Sequence, residues 1–140
     1  VVAFDQSDSG QKKALKLAKE TGVSLTYLIK DAMDFDSRTT FDVVFYGFFH
    51  VPPDALTPLY HHLNTFLKPG GMLLLEGFSK KNLGRGSGGP QNEAMLFTPE
   101  SIFHLFDDFT TLEVWEEETV LNEGPFHQGS ASVIRGVCTK

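Results

Sequence analysis

One hundred and forty residues, 41% hydrophobic and 21% charged, suffice for one globular domain with a real core. A net charge of −6 offers no basic stripe to track a nucleic acid, and no apolar run reaches membrane-spanning length, so neither partner is expected. The single cysteine, Cys138, cannot form an internal disulfide, which fits a reducing compartment and a cytoplasmic protein.

Val1-Val2-Ala3-Phe4-Asp5 reads as a buried strand ending in an acid. In an open parallel α/β sheet an acid at that place can hold the ribose diol of a nucleoside-type cofactor. There is no initiator Met and no strand or glycine turn ahead of Val1, so the chain is expected to be the C-terminal portion of a larger domain. Ser7 or Ser9 caps a helix running to about Thr21, with Ala14, Leu15 and Ala18 as its buried stripe and Gly22 as its left-handed stop. Its lysines, Lys12, Lys13, Lys16 and Lys19, form a solvated face. Val23 to Ile29 reads as the second strand, closing on Asp31. Phe41 to Phe49 is an almost unbroken apolar run, the pattern of a strand buried on both faces. Leu56, Leu59, Tyr60, Leu63, Phe66 and Leu67 follow helical spacing, with Pro58 at a first helical position or a kink, and Lys68-Pro69-Gly70-Gly71 is expected to end that helix.

Met72 to Phe78 is another continuous buried strand. After a glycine-rich stretch, Thr98-Pro99-Glu100 starts a helix whose buried stripe is Ile102, Phe103 and Phe106. Phe109 to Leu121 and Ser130 to Cys138 both alternate, with Asn122-Glu123-Gly124 as the turn between them, so the last strand runs antiparallel. Glu116, Glu117 and Glu118 fit a protected edge strand. The order β-α-β-β-α-β-α-β-β implies a single α/β domain over 1–140 with a mostly parallel, three-layer sheet.

The stretches Val2-Ala3-Phe4-Asp5-Gln6-Ser7, Asp31-Ala32-Met33-Asp34-Phe35, Phe49-His50-Val51-Pro52, Leu67-Lys68-Pro69-Gly70-Gly71, Leu74-Leu75-Glu76-Gly77-Phe78, Gly88-Gly89-Pro90 and Glu123-Gly124-Pro125-Phe126-His127-Gln128-Gly129 carry a resemblance. With the closing hairpin, the whole chain resembles the class I S-adenosylmethionine-dependent methyltransferases, nearest to the small tellurite-resistance and thiopurine types. That resemblance implies a Rossmann-like sheet with a reversed last strand and S-adenosylmethionine as cofactor. It also implies that the family's first strand and glycine-rich cofactor loop belong just upstream of Val1. That strand would lie between Val1–Asp5 and Phe41–Phe49, so this chain is expected to be incomplete for cofactor binding. Unpaired strand edges would then favour a homo-oligomer.

The same resemblance assigns Asp5 to the cofactor ribose and Gln6 to the cofactor site beside it, the alternative for Asp5 being a helix cap or a surface acid. It assigns Asp31 to the adenine amino group, with the backbone of Ala32 and Met33. A solvated acidic turn is the other reading of this loop, since Asp34 and Asp36 crowd it. Gly47 and Phe48 would flank the sulfonium. Methyl transfer chiefly needs positioning and a deprotonated acceptor, so a nearby histidine is a candidate base. His50 is one such candidate, or else a capping histidine before Pro52-Pro53. His127 is the other, and His50, Glu76 and His127 are expected to converge. No two of these three have helical i, i+4 spacing, so no metal site is expected. His61, His62 and His104 are read as structural or exposed.

Gly84-Arg85-Gly86-Ser87-Gly88-Gly89 matches GxGxxG literally, but no strand runs straight into it and no helix opens on its last glycine. It reads instead as a mobile lid or substrate loop. The leading function is methyl transfer to a small-molecule acceptor. The alternatives are a non-catalytic fragment or interaction domain, and a nicotinamide-dependent oxidoreductase. The reversed closing strand argues against the last.

Overall fold

The computed structural model describes residues 1–140 and has the element order that the sequence predicts. In chain order these are β1 (Val2–Asp5), α1 (Asp8–Thr21), β2 (Thr26–Ile29), β3 (Phe41–Gly47), α2 (Pro53–Asn64), β4 (Leu67–Phe78), α3 (Pro99–Leu105), β5 (Thr111–Asn122) and β6 (Gln128–Thr139). The chain divides into two compact units, Val1–Arg38 and Thr39–Lys140. None of its helices is long and apolar enough to cross a membrane.

In the first unit, β1 and β2 pair in parallel, from Val2↔Thr26 to Asp5↔Ile29. The Ser7 hydroxyl accepts the Gly10 N–H at 3.0 Å and so caps α1, and Gly22, at φ 71°, closes it. The Gln11 amide donates to the Tyr27 carbonyl, tying α1 to β2 (2.9 Å), and Phe4 stacks on the buried Phe35 with centroids 4.5 Å apart. The predicted stripe of α1 is only partly right. Ala18 is buried, but Leu15 is 42% exposed, and β2 starts at Thr26 instead of Val23.

The second unit is a four-stranded sheet in the order β3-β4-β6-β5. β3 and β4 are parallel, whereas β6 is antiparallel to both β4 and β5, so β6 alone is reversed. The expected reversed strand beside Met72–Phe78 is thus present. One face of this sheet packs on the helices: Tyr46 meets Tyr60 edge-on at 4.8 Å, and its hydroxyl donates to Asn64 at 2.9 Å. Burial raises the hydroxyl pKa of both tyrosines. Ile102, Leu105 and Phe106 complete this core, and the capping box of Thr98 and Ser101 sets the start of α3. Phe103, expected inside, is 43% exposed; Leu105 takes its place, because a seven-residue helix presents only a narrow stripe.

Two further expectations change. Lys68-Pro69-Gly70-Gly71 does not end a helix; α2 stops at Asn64, and the four residues form an irregularity inside β4. Pairing jumps from Phe41↔Leu67 to Val43↔Met72, so five steps on β4 match two on β3, as in an extended bulge. Pro53 occupies the first turn of α2, while Pro58 lies inside it. Nor is β3 buried on both faces. Val44 and Tyr46 point inward, but Val43 is 52% and Phe45 61% exposed, and β3 has β4 as its one strand neighbour.

Candidate active site

In the first unit, the acids lie at the carboxyl ends of adjacent parallel strands. Asp5 ends β1, and one of its oxygens accepts the Ser7 N–H at 2.7 Å, an Asx-type turn that leads into α1. Its other oxygen stays open to solvent-side ligands. Asp31 caps the short 3₁₀ turn Ala32–Asp34, with Oδ1 accepting the Met33 N–H at 2.9 Å and Oδ2 accepting from Gln6 Nε2 at 2.7 Å. Gln6 therefore laces the two loops together. Ala32 is buried beneath the turn, and Met33 is 51% exposed on it. The helix-cap alternative for Asp5 is not what holds α1, since Ser7 does that.

The second unit gathers an aromatic cluster where β3 and β4 end. Phe48 has φ +50°, a left-handed conformation that costs a non-glycine residue about 1–2 kcal/mol. Its N–H donates to the Glu76 carbonyl at 2.7 Å. The turn sends its ring onto Phe78 (4.7 Å) and edge-on to His127 (4.5 Å). A Cβ on Gly47 would come within 2.7 Å of the Phe45 ring. His127 also meets Phe78 edge-on at 5.3 Å, its Nδ1 lies 3.4 Å from Glu123, and its backbone closes the β5–β6 turn through Gly124. Its Nε2 carries no protein hydrogen bond.

His50 is placed differently from its expected role as a base. The Phe78 N–H can only donate, so Nε2 accepts it at 2.9 Å; the proton must then sit on Nδ1, which donates to the Met95 carbonyl at 2.8 Å. The ring stacks on Phe97 at 4.7 Å. Burial lowers its pKa, against the opposing effect of the Met95 bond, and His127 adds a smaller push the same way as burial. With both nitrogens committed, His50 is a neutral cross-brace with no lone pair left for an acceptor.

Glu76 does not join the histidines. Its Oε1 accepts from Arg135 Nε (3.0 Å) and Nη2 (2.9 Å), and Arg135 also pairs with Glu117. Of the expected trio, His50 and His127 share contacts with Phe78 while Glu76 is neutralised in the sheet. Sequence reasoning passed over Phe78, Phe97 and Arg135. The signal for Arg135 was the one charged side chain in β6.

The glycine-rich stretch is no free lid. Lys81 pairs with Glu116, and Arg85 pairs with Glu118, with Nη2 at 2.9 Å from Oε1. The hydrogen bonds from Lys81 and Arg85 hold those carboxyls below the usual carboxylate range. The edge-strand acids are therefore a clamp as well as a guard.

A family model described as a methyltransferase domain matches residues 1–71, half of the chain. Comparison with curated protein sequences finds no match. Among solved structures, the chain is similar to TehB from Haemophilus influenzae, with TM-score 0.72 and 10% identity over 100% of this chain and 49% of that one. It is similar to the N-methyltransferase NodS from Bradyrhizobium japonicum WM9 in complex with S-adenosyl-L-homocysteine, with TM-score 0.70 and 11% identity over 99% and 65%. A methyltransferase from Methanosarcina mazei gives TM-score 0.72 and 17% identity over 100% and 81%. This chain spans about half the length of the Haemophilus protein. At these identities the likeness establishes a Rossmann-like methyltransferase fold.

Proposed function

This chain belongs to the methyltransferase domain family, and from that premise we propose that it serves S-adenosylmethionine-dependent methyl transfer to a small-molecule acceptor. The observation that carries the reading is the pair of carboxylates at the carboxyl ends of β1 and β2, laced by Gln6. The donor set suits an adenosine. Asp5 keeps one oxygen free for a ribose diol, where a charge-assisted bond is strong. Asp31 and the backbone of Ala32 and Met33 suit the adenine edge, and the exposed Met33 side chain offers an apolar surface to its face.

The bound cofactor would supply an activated methyl group on a sulfonium. The protein's part is to orient and to take a proton. Gly47 keeps the end of β3 free of a side chain, and Phe48 turns its ring toward His127. His127 is the proton acceptor for the methyl acceptor, because its Nε2 is unspent while both nitrogens of His50 are engaged. The whole chain is read as belonging to a single methyltransferase-like domain. The open edge and exposed Val43 and Phe45 of β3 support association through that strand.

Calorimetric titration with S-adenosylhomocysteine tests the reading, with NAD as the competing ligand. Binding of the former, weakened about tenfold by Asp5→Ala, is the expected result, the loss of one charge-assisted hydrogen bond. Tighter binding of NAD, or an unchanged dissociation constant in a folded Asp5→Ala protein, rejects it.

A further inference from the structure

Asn82 lies in the short 3₁₀ turn Lys80–Asn82 after β4 and is 2% exposed. Its Oδ1 accepts the Ser132 N–H at 2.9 Å and the Ser87 hydroxyl at 3.2 Å, and its Nδ2 donates to the Gly88 carbonyl at 3.1 Å. Ser79 and Ser132 join hydroxyls at 2.9 Å beside it, and the Ser79 hydroxyl also accepts the Lys81 N–H. Ser79, Ser87 and Ser132 are equally buried. A buried side-chain amide is costly unless its bonds are made, and a fully satisfied network fixes one conformation. Connecting segments ordinarily run over the surface without such a knot.

What the knot fixes is the next two residues. Gly88 and Gly89 have φ +124° and +87°. A Cβ on Gly88 would fall 2.5 Å from the Phe126 carbonyl oxygen and 3.0 Å from His127 Cδ2. A Cβ on Gly89 would fall 2.6 Å from the Phe78 ring. Bare backbone therefore lies flush against both rings that bracket the site, and only glycine can approach so closely. The Lys81–Glu116 and Arg85–Glu118 pairs tie down the outer part of the same segment.

We propose that Asn82 is a positioning residue for His127. Through the Gly88 carbonyl and the Ser132 N–H it sets Gly88-Gly89 as a wall that holds the His127 ring edge-on to Phe48 and Phe78. The functional weight of this inference rests on His127 being the proton acceptor, but its geometry does not. Two aromatic rings beside His127 displace its ring-proton NMR signals by their ring currents, and that displacement reads the ring's position without any ligand.

The experiment compares His127 ring signals in wild type, Asn82→Ala, Gly88→Ala and Gly84→Ala. Gly84 has φ +79° and open space around it, so it strains the same segment away from the wall. The displacement is expected to collapse in Asn82→Ala and Gly88→Ala and to persist in Gly84→Ala, with His104 unmoved throughout. If Asn82→Ala does not fold, Ser87→Ala, which removes only the 3.2 Å bond, decides the matter by a smaller movement in the same direction. Signals at their wild-type positions in a folded Asn82→Ala, or an equal collapse in Gly84→Ala, overturn the proposal. Absence of methyl transfer in His127→Ala and wild type alike would remove the proton-acceptor role and leave this result standing, so the two fail separately.

Discussion

Replacing His50 by Phe separates bracing from packing. A phenyl ring keeps the place between Phe97 and Phe78, whose centroids lie 4.7 and 5.9 Å from the imidazole. It removes both hydrogen bonds, leaving the Phe78 N–H and the Met95 carbonyl without partners. Orphaning a buried donor or acceptor costs about 1–3 kcal/mol; Phe78 is fully buried but Met95 only half-buried, so His50→Phe is expected to lose about 2–4 kcal/mol in urea unfolding, and His50→Ala more. A pH series adds an independent check. The folded-state pKa of His50 lies below the ordinary 6.5, so below 6.5 the unfolded chain binds a proton that the native state refuses. The stabilising contribution of His50 is complete above 6.5 and is lost as pH falls through that value toward the folded pKa. In His50→Phe that part of the slope should vanish. A loss below about 1 kcal/mol with an unchanged pH slope would refute the bracing role.

Other perturbations follow from the same geometry. Gly47→Ala should keep unfolding free energy within about 1 kcal/mol, since the new methyl meets only the far end of an exposed Phe45 ring, while methyl transfer falls; a stable variant with full activity would remove Gly47 from the site. Gly77→Ala should cost several-fold more, because its Cβ would lie 2.8 Å from Phe97 and 3.3 Å from His50, and a neutral result in chemical denaturation would contradict that packing. Arg135→Met strands Glu76 beside Glu117 and should lose about 1–3 kcal/mol, partly recovered by adding Glu76→Gln and Glu117→Gln. Lysine at both Val43 and Phe45 should lower any self-association seen by light scattering; the same molar mass in the double variant would exclude the β3 edge.

The elements legible in the sequence were those whose signals are local. The β5–β6 hairpin announces itself by alternation on both sides of Asn122-Glu123-Gly124, and α1 by Ser7 and Gly22, so their boundaries came within a residue or two. Lys68-Pro69-Gly70-Gly71 misled because proline and glycines interrupt a helix and a strand ladder alike. Only the pairing of β4 with β3 decides between them, and β3 lies more than twenty residues earlier. The run Phe41–Phe49 shows the same limit from the other side. Its composition says that the strand can be buried on both faces, but coverage depends on neighbours, and in this chain one face is open at Val43 and Phe45.

The histidines divide along that line. His50 and His127 look alike in sequence, each beside a proline-containing turn and near a strand end. They part company through distant partners: Phe78 and Met95 are 28 and 45 residues beyond His50, and together they consume both its nitrogens. His127 finds its hydrogen-bond partner, Glu123, four residues away in its own turn, which leaves the other nitrogen unspent. The triple glutamate follows the same logic. Strand alternation turns Glu116 and Glu118 to one face and Glu117 to the other, so cations must arrive from two directions. Lys81 and Arg85 come from the glycine-rich segment, and Arg135 comes from β6. A stretch that composition marks as a flexible loop is thereby held by charges thirty-five and thirty-three residues away, which is why its role as a fixed wall had to be read from the fold.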